Sequence, residues 1–347
     1  MKFDTIIWCS DLNSNTGEGV LAKKFLQKYL LYKKDKKIKI VTYEKKFFFK
    51  NKIIQKNIKF SNKFFHKYFG PLFGAFYLLF NYKKKELVYV NYLPLWNFLL
   101  FLLIPKKTIL GPITGSAYSK NIKSLGSFLR KYIFPLLYKL SLIIIHKKFK
   151  NIIFSTRLLE NFYKNLKNPD HNVLYDFIFI FFKKNNYKRT RKYDLIYYNR
   201  NHPTKQTDKS KDLIATLSKK FVVCVVGDYY QNKNVLNFGK VSRKQVYNLL
   251  LQSKVAMGGA ENIFSLFTID AINCRTKVIY NSMIKIKYKT ISNYLIAVDY
   301  NNFSSAYSKI FKLLNSNLKI NDHKFDLLVN KQKKVINNFL LDYFSDK

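Results

Sequence analysis

The sequence predicts an α/β protein of two doubly wound, Rossmann-like domains, and three observations carry that reading. Strand-like apolar runs alternate with helical patterns, as where Phe3–Cys9 feeds a glycine-punctuated loop and a helix over 20–32. The run Phe221–Asp228, FVVCVVGD, is almost wholly apolar and turns at a glycine, the pattern of a parallel strand covered on both faces. Between the halves, residues 183–192 (KKNNYKRTRK) are charged and poor in core residues, as an interdomain linker is. A chain of 347 residues is long enough for two cores, with domains expected over 1–182 and 193–322 and a last segment over 323–347.

Composition narrows the partners. Apolar residues make up 48%, which excludes a disordered tail. The net charge of +43 invites a nucleic-acid reading, but 56 of the cationic residues are lysine and only 7 arginine. Base readers and phosphate clamps lean on the arginine fork. The abundance of Lys, Asn, Ile, Phe and Tyr, all with A/T-rich codons, accounts for much of the basicity. Nucleic acid is therefore an unlikely partner and an anionic membrane surface the better candidate. Cys9, Cys224 and Cys274 lie far apart in apolar or helical contexts, without zinc spacing, and suit a reducing cytoplasm. The start, MKFDTIIWCSD, carries an acid too early and too short an apolar run for a signal peptide. Residues 87–105 are the best span candidate, yet Asn91, Pro94 and Asn97 split them into a strand and a short helix.

In order, the first half reads as a strand over 3–9, a polar loop over 11–19 and a helix over 20–32, then a strand over 39–43. Residues 44–69 are rich in Lys and aromatics and read as a surface loop with helices; the same composition suits a bilayer headgroup region or single-stranded nucleic acid. A strand over 87–91 ends in Asn91, at the edge where α/β sites lie. Thr108–Leu110 leads into Gly111-Pro112-Ile113-Thr114-Gly115-Ser116, a turn with exposed N–H groups. Helices follow over 121–140, divided or kinked by Pro135. A strand over 152–155 follows, with Ser155 capping a helix over 156–167. His66 and His146 read as structural or surface residues.

The second half opens with a strand over 194–198 that runs into Asn199-Arg200-Asn201-His202-Pro203-Thr204-Lys205. A helix over 212–219 and the strand ending at Gly227 come next. Ser242 caps a helix over 243–252, then Val255–Met257 forms a strand closed by Gly258-Gly259. A second helix opens near Ser265 and ends at Asn273–Arg275, followed by strands near 277–280 and 295–298 and helices over 303–315 and 325–344. A helix N-terminus beside a glycine turn offers free N–H groups to a phosphate. There is no Asp-x-Asp, H-E-x-x-H, Walker A or G-x-S-x-G pattern.

The stretch 236–281 resembles the donor-binding segment of retaining, GT-B-fold glycosyltransferases of family 4. The family's first acid, its Phe-Gly/Ser-Leu run and the second acid before an Ala read here as Glu261, Phe264-Ser265-Leu266 and Asp270-Ala271. The second acid is Asp where the family has Glu, and eight residues separate the pair in place of seven. Gly111–Ser116 resembles the Gly-Pro-Ile-x-Gly-Gly segment of lipopolysaccharide-type members.

The resemblance implies two Rossmann-like domains facing each other across a cleft that holds the active site, with the last helix packing back on the first domain. It implies that Arg200 and Lys205 grip the donor diphosphate and that Glu261 faces diphosphate and sugar. Phe264, Ser265 and Leu266 line the donor, Asp270 holds its ribose, Lys240 and Val241 lie near the base, and Gly17, Gly19 and Gly227 complete the donor side. Asn91, Gly111, Thr114 and Gly115 form the acceptor side. The implied activity is a retaining, metal-independent transfer of a sugar from a nucleotide sugar to a lipid-linked or polysaccharide acceptor, at the cytoplasmic face of a membrane. No cofactor is implied, since the nucleotide sugar is a substrate. Alternatives are a sugar-nucleotide epimerase of the same fold and a non-catalytic basic protein binding membranes or nucleic acid.

Overall fold

Strands this apolar must be covered on both faces, and helices drawn from the intervening sequence do so. The computed structural model describes residues 3–12, 16–42, 53–57, 69–81, 85–114, 128–163, 166, 171–183, 190–201, 208–258, 265–282, 291–316 and 322–345. Contacts divide the chain into two units. One comprises Met1–Ser116, Leu129–Ile178 and Val335–Lys347, and Phe179–Lys334 belongs to the other. The chain thus changes unit at Ile178/Phe179, and its final helix begins in the second unit and ends in the first.

The first unit holds β1 (Thr5–Cys9), α1 (Gly17–Tyr32), β2 (Ile38–Thr42), β3 (Ile53–Asn57), α2 (Gly70–Phe80), β4 (Glu86–Asn91), α3 (Phe98–Leu103) and β5 (Thr108–Leu110). All five strands are parallel, in the order β3-β2-β1-β4-β5. The chain leaves β1 in one direction and returns to β4 on its other side, so β1 and β4 flank the topological switch point. A π-helical turn, Leu129–Ile133, leads into α4 (Phe134–Lys148). The short parallel pair β6 (Asn151–Ile153) and β7 (Asn172–Leu174) follows, with a 3-10 turn, Arg157–Leu159, and α5 (Glu160–Tyr163) between them.

Several expectations shift here. The helix after the first loop starts at Gly17, three residues early, because Thr16 caps it by accepting from the Gly19 N–H. Pro135 divides the helical stretch as expected: the π-helical turn Leu129–Ile133 ends just before it, and it sits in the first turn of α4. The cap expected at Ser155 falls on Thr156, and among the described residues the expected helix begins as a 3-10 turn, Arg157–Leu159, followed by one α-helical turn, Glu160–Tyr163. At its start Asp176 accepts from the Arg157 main-chain N–H (3.2 Å) and Nε (2.7 Å). β3 emerges inside the Lys/aromatic segment expected to be loop and helix; the rest of 44–68 lies outside the described residues.

The second unit holds β8 (Tyr193–Asn199), α6 (Asp208–Leu217), β9 (Val223–Gly227), β10 (Val235–Gly239), α7 (Arg243–Leu251), β11 (Ser253–Met257), α8 (Leu266–Asn273), β12 (Lys277–Asn281), β13 (Leu295–Val298), α9 (Phe303–Asn315) and the first part of α10 (Asp322–Ser345). Its six parallel strands run β10-β9-β8-β11-β12-β13, with the switch point between β8 and β11. The end of α10 belongs to the first unit, where Phe344 packs on Phe25 and Tyr29, and the Tyr343 hydroxyl accepts from the Leu110 N–H and donates to the Leu110 carbonyl.

In the first core, α2 lies so close to β1 that a Cβ on Gly74 would sit 2.3 Å from the Trp8 indole. Trp8 is fully buried and packed between Phe73, Tyr77 and Tyr89. We therefore expect Gly74→Ala to lower unfolding stability by about 1–3 kcal/mol in urea titrations, the range for overpacking a filled core. Phe76→Ser, on the outward side of the same helix, should stay within about 0.5 kcal/mol of the parent.

Candidate functional site

A parallel sheet sends its loops and helix N-termini to one edge, and in the second unit that edge gathers the candidate donor residues. Asn199 ends β8 fully buried, and its amide donates to the Asp228 and Tyr229 carbonyls at 2.9 and 3.2 Å. This pins the turn after β9 to the end of β8. The turn needs glycine at its head: Gly227 has φ +103°, and a Cβ there would meet the Asn199 carbonyl at 2.2 Å. Asn199 Oδ1 is left buried and unpartnered among the described residues.

Asp228 is the hub that sequence reasoning missed. One of its oxygens accepts from the Asn201 N–H at 2.7 Å, and the other pairs with Lys240 Nζ at 3.0 Å. Lys240 donation above all, with the Asn201 N–H and the Lys240 and Arg200 charges, holds its carboxyl below the ordinary aspartate range against the opposing effect of burial. Its signal in the sequence was an acid directly after a strand-ending glycine. Arg200 itself is exposed at this edge, and Val241 is half-buried beside the Ser242 cap of α7.

Across the switch point, β11 ends at Met257, and Ser265 caps α8 by accepting from the Thr268 N–H at 3.2 Å. Ser265 and Leu266 are half-buried at the helix tip. Asp270, expected to be free for a ribose, is engaged within the protein. Arg243 grips both its oxygens, through Nε at 2.8 Å and Nη2 at 2.6 Å, and the Asp270 side chain is only 3% exposed. Arg243 also lies over the Phe181 ring. Burial raises the Asp270 carboxyl, and the guanidinium opposes it. Lys205, Glu261 and Phe264 lie outside the described residues, as does His202.

The first unit repeats the device at its own switch point. Asn91 ends β4, and its amide donates to the Asp11 carbonyl at 2.6 Å while its oxygen accepts from the Asp11 N–H at 3.1 Å and Cys9 Sγ at 3.2 Å. The loop after β1 is thereby tied to β4. Asp11 in turn accepts from the Thr16 hydroxyl, which caps α1. The two glycines expected to let a ligand approach lie in the first turn of α1, not in a loop. Gly17 has open space around it, and Gly19 is buried. Gly111 is required by packing, because a Cβ there would stand 2.2 Å from the Val90 carbonyl.

Thr114 donates to Glu18 at 3.0 Å, and these two, with Asn91, Leu93 and Pro112, line a small cleft. The Glu18 carboxyl is pushed up to about 7 by burial first, then by the Asp11 charge, with Thr114 opposing. Glu18 went unassigned in the sequence because it reads there as one polar residue between two glycines. Gly115 lies outside the described residues. Among the described residues, no three His, Cys, Asp or Glu side chains cluster as metal ligands, and no helix is long and apolar enough to cross a membrane.

No family profile matches the sequence, and no curated protein sequence does either. Solved structures do match in fold. TarM from S. aureus, determined with Fondaparinux, α-GlcNAc-glycerol and UDP, superposes with a TM-score of 0.60 at 12% identity, covering 99% of this chain and 100% of that one. WaaG, a glycosyltransferase involved in lipopolysaccharide biosynthesis, gives 0.55 at 11% identity over 95% and 94%. HepE from Anabaena, in complex with UDP and glucose, gives 0.52 at 10% identity over 99% and 98%. The chain has the GT-B fold, with two Rossmann-like units.

Two outcomes test this geometry. Arg243→Met would strand the buried Asp270 charge, and should cost about 2–3 kcal/mol, less than a wholly buried pair because the Arg243 side chain is 41% exposed. The loss should shrink as pH falls and Asp270 protonates, which urea melts across pH will read. A Glu18 carboxyl raised from 4.5 to about 7 binds its proton more tightly in the folded state, so it destabilises the fold as pH rises through that window. Glu18→Gln should match the parent's Tm near pH 4 and melt higher than it near pH 8.

Proposed function

We propose that this protein is a glycosyltransferase that moves a sugar from a nucleotide-sugar donor to a glycan acceptor. The observation that carries the reading is the polar edge of the second unit's sheet. There Arg200, the Asn199–Gly227–Asp228–Lys240 cluster and the capped tip of α8 gather around the β8/β11 switch point, where doubly wound sheets bind nucleotides. The GT-B fold, matched over nearly the whole chain, supports it.

In this reading Arg200 and Lys205 neutralise the donor diphosphate as charge builds on the leaving group, an arginine fork and a point charge acting with the N–H groups at the tip of α8. Phe264, Ser265 and Leu266 line the donor, and Glu261 faces its diphosphate and sugar. Asp270 serves the site through Arg243 by holding the middle of α8 against α7; contact with ribose would add to that role. Lys240 and Val241 lie toward the base. On the first unit, Asn91, Gly111, Thr114 and Gly115 form the acceptor side, to which Glu18 is added as the carboxyl that meets an acceptor hydroxyl.

We further propose retention of configuration, independence of metal, and a lipid-linked or cell-surface acceptor used at the cytoplasmic face of a membrane. The similarity of Gly111–Ser116 to lipopolysaccharide-type enzymes and the basic, aromatic composition support this.

Thermal-shift measurements should show UDP raising the Tm of the parent, since a ligand selective for the folded state stabilises it by mass action. Arg200→Ala should lose most of that shift while its ligand-free Tm stays within about 2 °C, as Arg200 is exposed. A panel of other nucleoside diphosphates covers the case of a different base. Conversion of labelled nucleotide sugar without any acceptor would instead indicate an epimerase. Binding of nucleic acid that survives Arg200→Ala, with no nucleotide shift, would indicate a basic binding protein. Product anomer by NMR and turnover in EDTA decide retention and metal use.

A further inference from the structure

Helices α2, α3 and α4 form a layer over one face of the first unit's sheet, with α3 packed against α2 on one side and α4 on the other. Their inward sides are ordinary core: Ala75, Leu78, Leu100, Phe101, Leu142 and Ile145 are buried in one cluster with Trp8 and Tyr89. Their outward sides are apolar as well. On α2, Phe73, Phe76 and Phe80 recur at helical spacing, all exposed, with Phe80 at 83%. Leu99 and Leu102 continue the surface on α3, and Leu136 (66% exposed) and Leu140 on α4. A helix apolar all round belongs in a core or against lipid. Contiguous exposed apolar surface on this scale marks an interaction site.

Charge selects the occupant. The three helices contain no acidic residue. Between Glu44 and Glu160 the one acid in the sequence is Glu86, and it is held by Lys33 and Lys36 with its side chain 7% exposed. Exposed lysines border and interrupt the apolar surface: Lys106 and Lys107 after α3, and Lys139 and Lys147 on α4. A second copy docked by the same face would set like charges opposite one another in an isologous contact. An anionic bilayer surface complements both features, because apolar side chains enter the acyl boundary while lysines remain among headgroup phosphates. At 11 residues, α2 is about 16 Å long, too short to span a bilayer but suited to lying in its surface.

We infer that the α2–α3–α4 face seats the protein on an anionic lipid surface, with Phe76, Phe80, Leu102 and Leu136 as inserting side chains. This deepens the membrane-associated part of the functional reading and rests on it, assigning the contact to a helical face and not to the Lys/aromatic stretch over 44–69 alone.

The test is co-sedimentation of the full chain with vesicles of phosphatidylcholine, alone or mixed with phosphatidylglycerol. The parent should pellet with the mixed vesicles at low salt, and less as salt rises. F76S/F80S/L136S should lower the vesicle partition coefficient at least about tenfold, given the apolar area removed. K106E/K107E/K139E, which leaves the apolar side chains intact, should lose the preference for phosphatidylglycerol. Both variants should keep the parent's response to UDP, which shows them folded. Undiminished binding by both would overturn the assignment of the face while leaving membrane association standing. A parent that stays in the supernatant with every vesicle would overturn both. If sedimentation velocity shows a parent dimer that the serine variant abolishes, and no vesicle binding is seen, the face belongs to a second copy and the inference falls.

Discussion

A parallel sheet covered on both faces can be polar only at its ends, and the end where the strands finish is where its loops and helix N-termini converge. Both units meet that constraint with a fully or nearly buried asparagine at the last position of a central strand, Asn91 on β4 and Asn199 on β8. A buried amide left unpaired is expensive, so each asparagine recruits the backbone of a neighbouring loop. Asn91 takes both polar groups of Asp11, and Asn199 takes two successive carbonyls after Gly227. The loop that leads into the helix of Glu18 and the turn that carries Asp228 are placed by these bonds. In the second unit the close approach of chain to chain then forbids any side chain at position 227.

The Arg243–Asp270 pair performs a related task one layer away. It joins the first turn of α7 to the middle of α8, and the arginine's stack on Phe181 extends the tie to the segment where the chain enters the second unit. Asn273 at the end of α8 adds to it, donating to the Phe181 carbonyl and accepting from the Lys183 N–H. α8 is thus held at its middle and at its C-terminal end. An acid that resembles a ligand-binding residue in sequence is also what orients the helix that would bind the ligand.

Much of the architecture was legible because it rests on local rules. FVVCVVGD announced a doubly covered strand, Ser242 a helix cap, and Ser265 the opening of a helix. What escaped was decided by partners distant in sequence. Asp176 holds the main chain and guanidinium of Arg157 from 19 residues away, and no window around 156–167 contains that contact. Arg243 lies 27 residues from Asp270, and Asp228 becomes a hub only when Lys240 and the turn after β8 come together. Gly17 and Gly19 read as part of a polar loop, whereas here they open a helix that Thr16 caps. The apolar face of α2, α3 and α4 was hidden for the same reason. FLLFLL and GPLFGAFYLLF have no polar side to mark which residues face out, so periodicity alone cannot separate core from surface.

Glu18 runs against the general chemistry of the chain. In a protein with 63 lysines and arginines, a carboxyl at a helix N-terminus would ordinarily be ionised and well below neutrality, favoured by the free N–H groups and by any cation nearby. The groups that shift it here are Thr114 and Asp11, neither of them a cation, and burial outweighs the hydrogen bond. Its ionised form therefore weakens the folded state at neutral pH, and a glutamine would hold the same hydrogen-bonding position without that cost. A group kept near half-protonation in a cleft is suited to exchanging a proton with a hydroxyl. In the proposed reading, with Asn91, Gly111 and Thr114 on the acceptor side, Glu18 is the one of these four groups that could take part in that exchange.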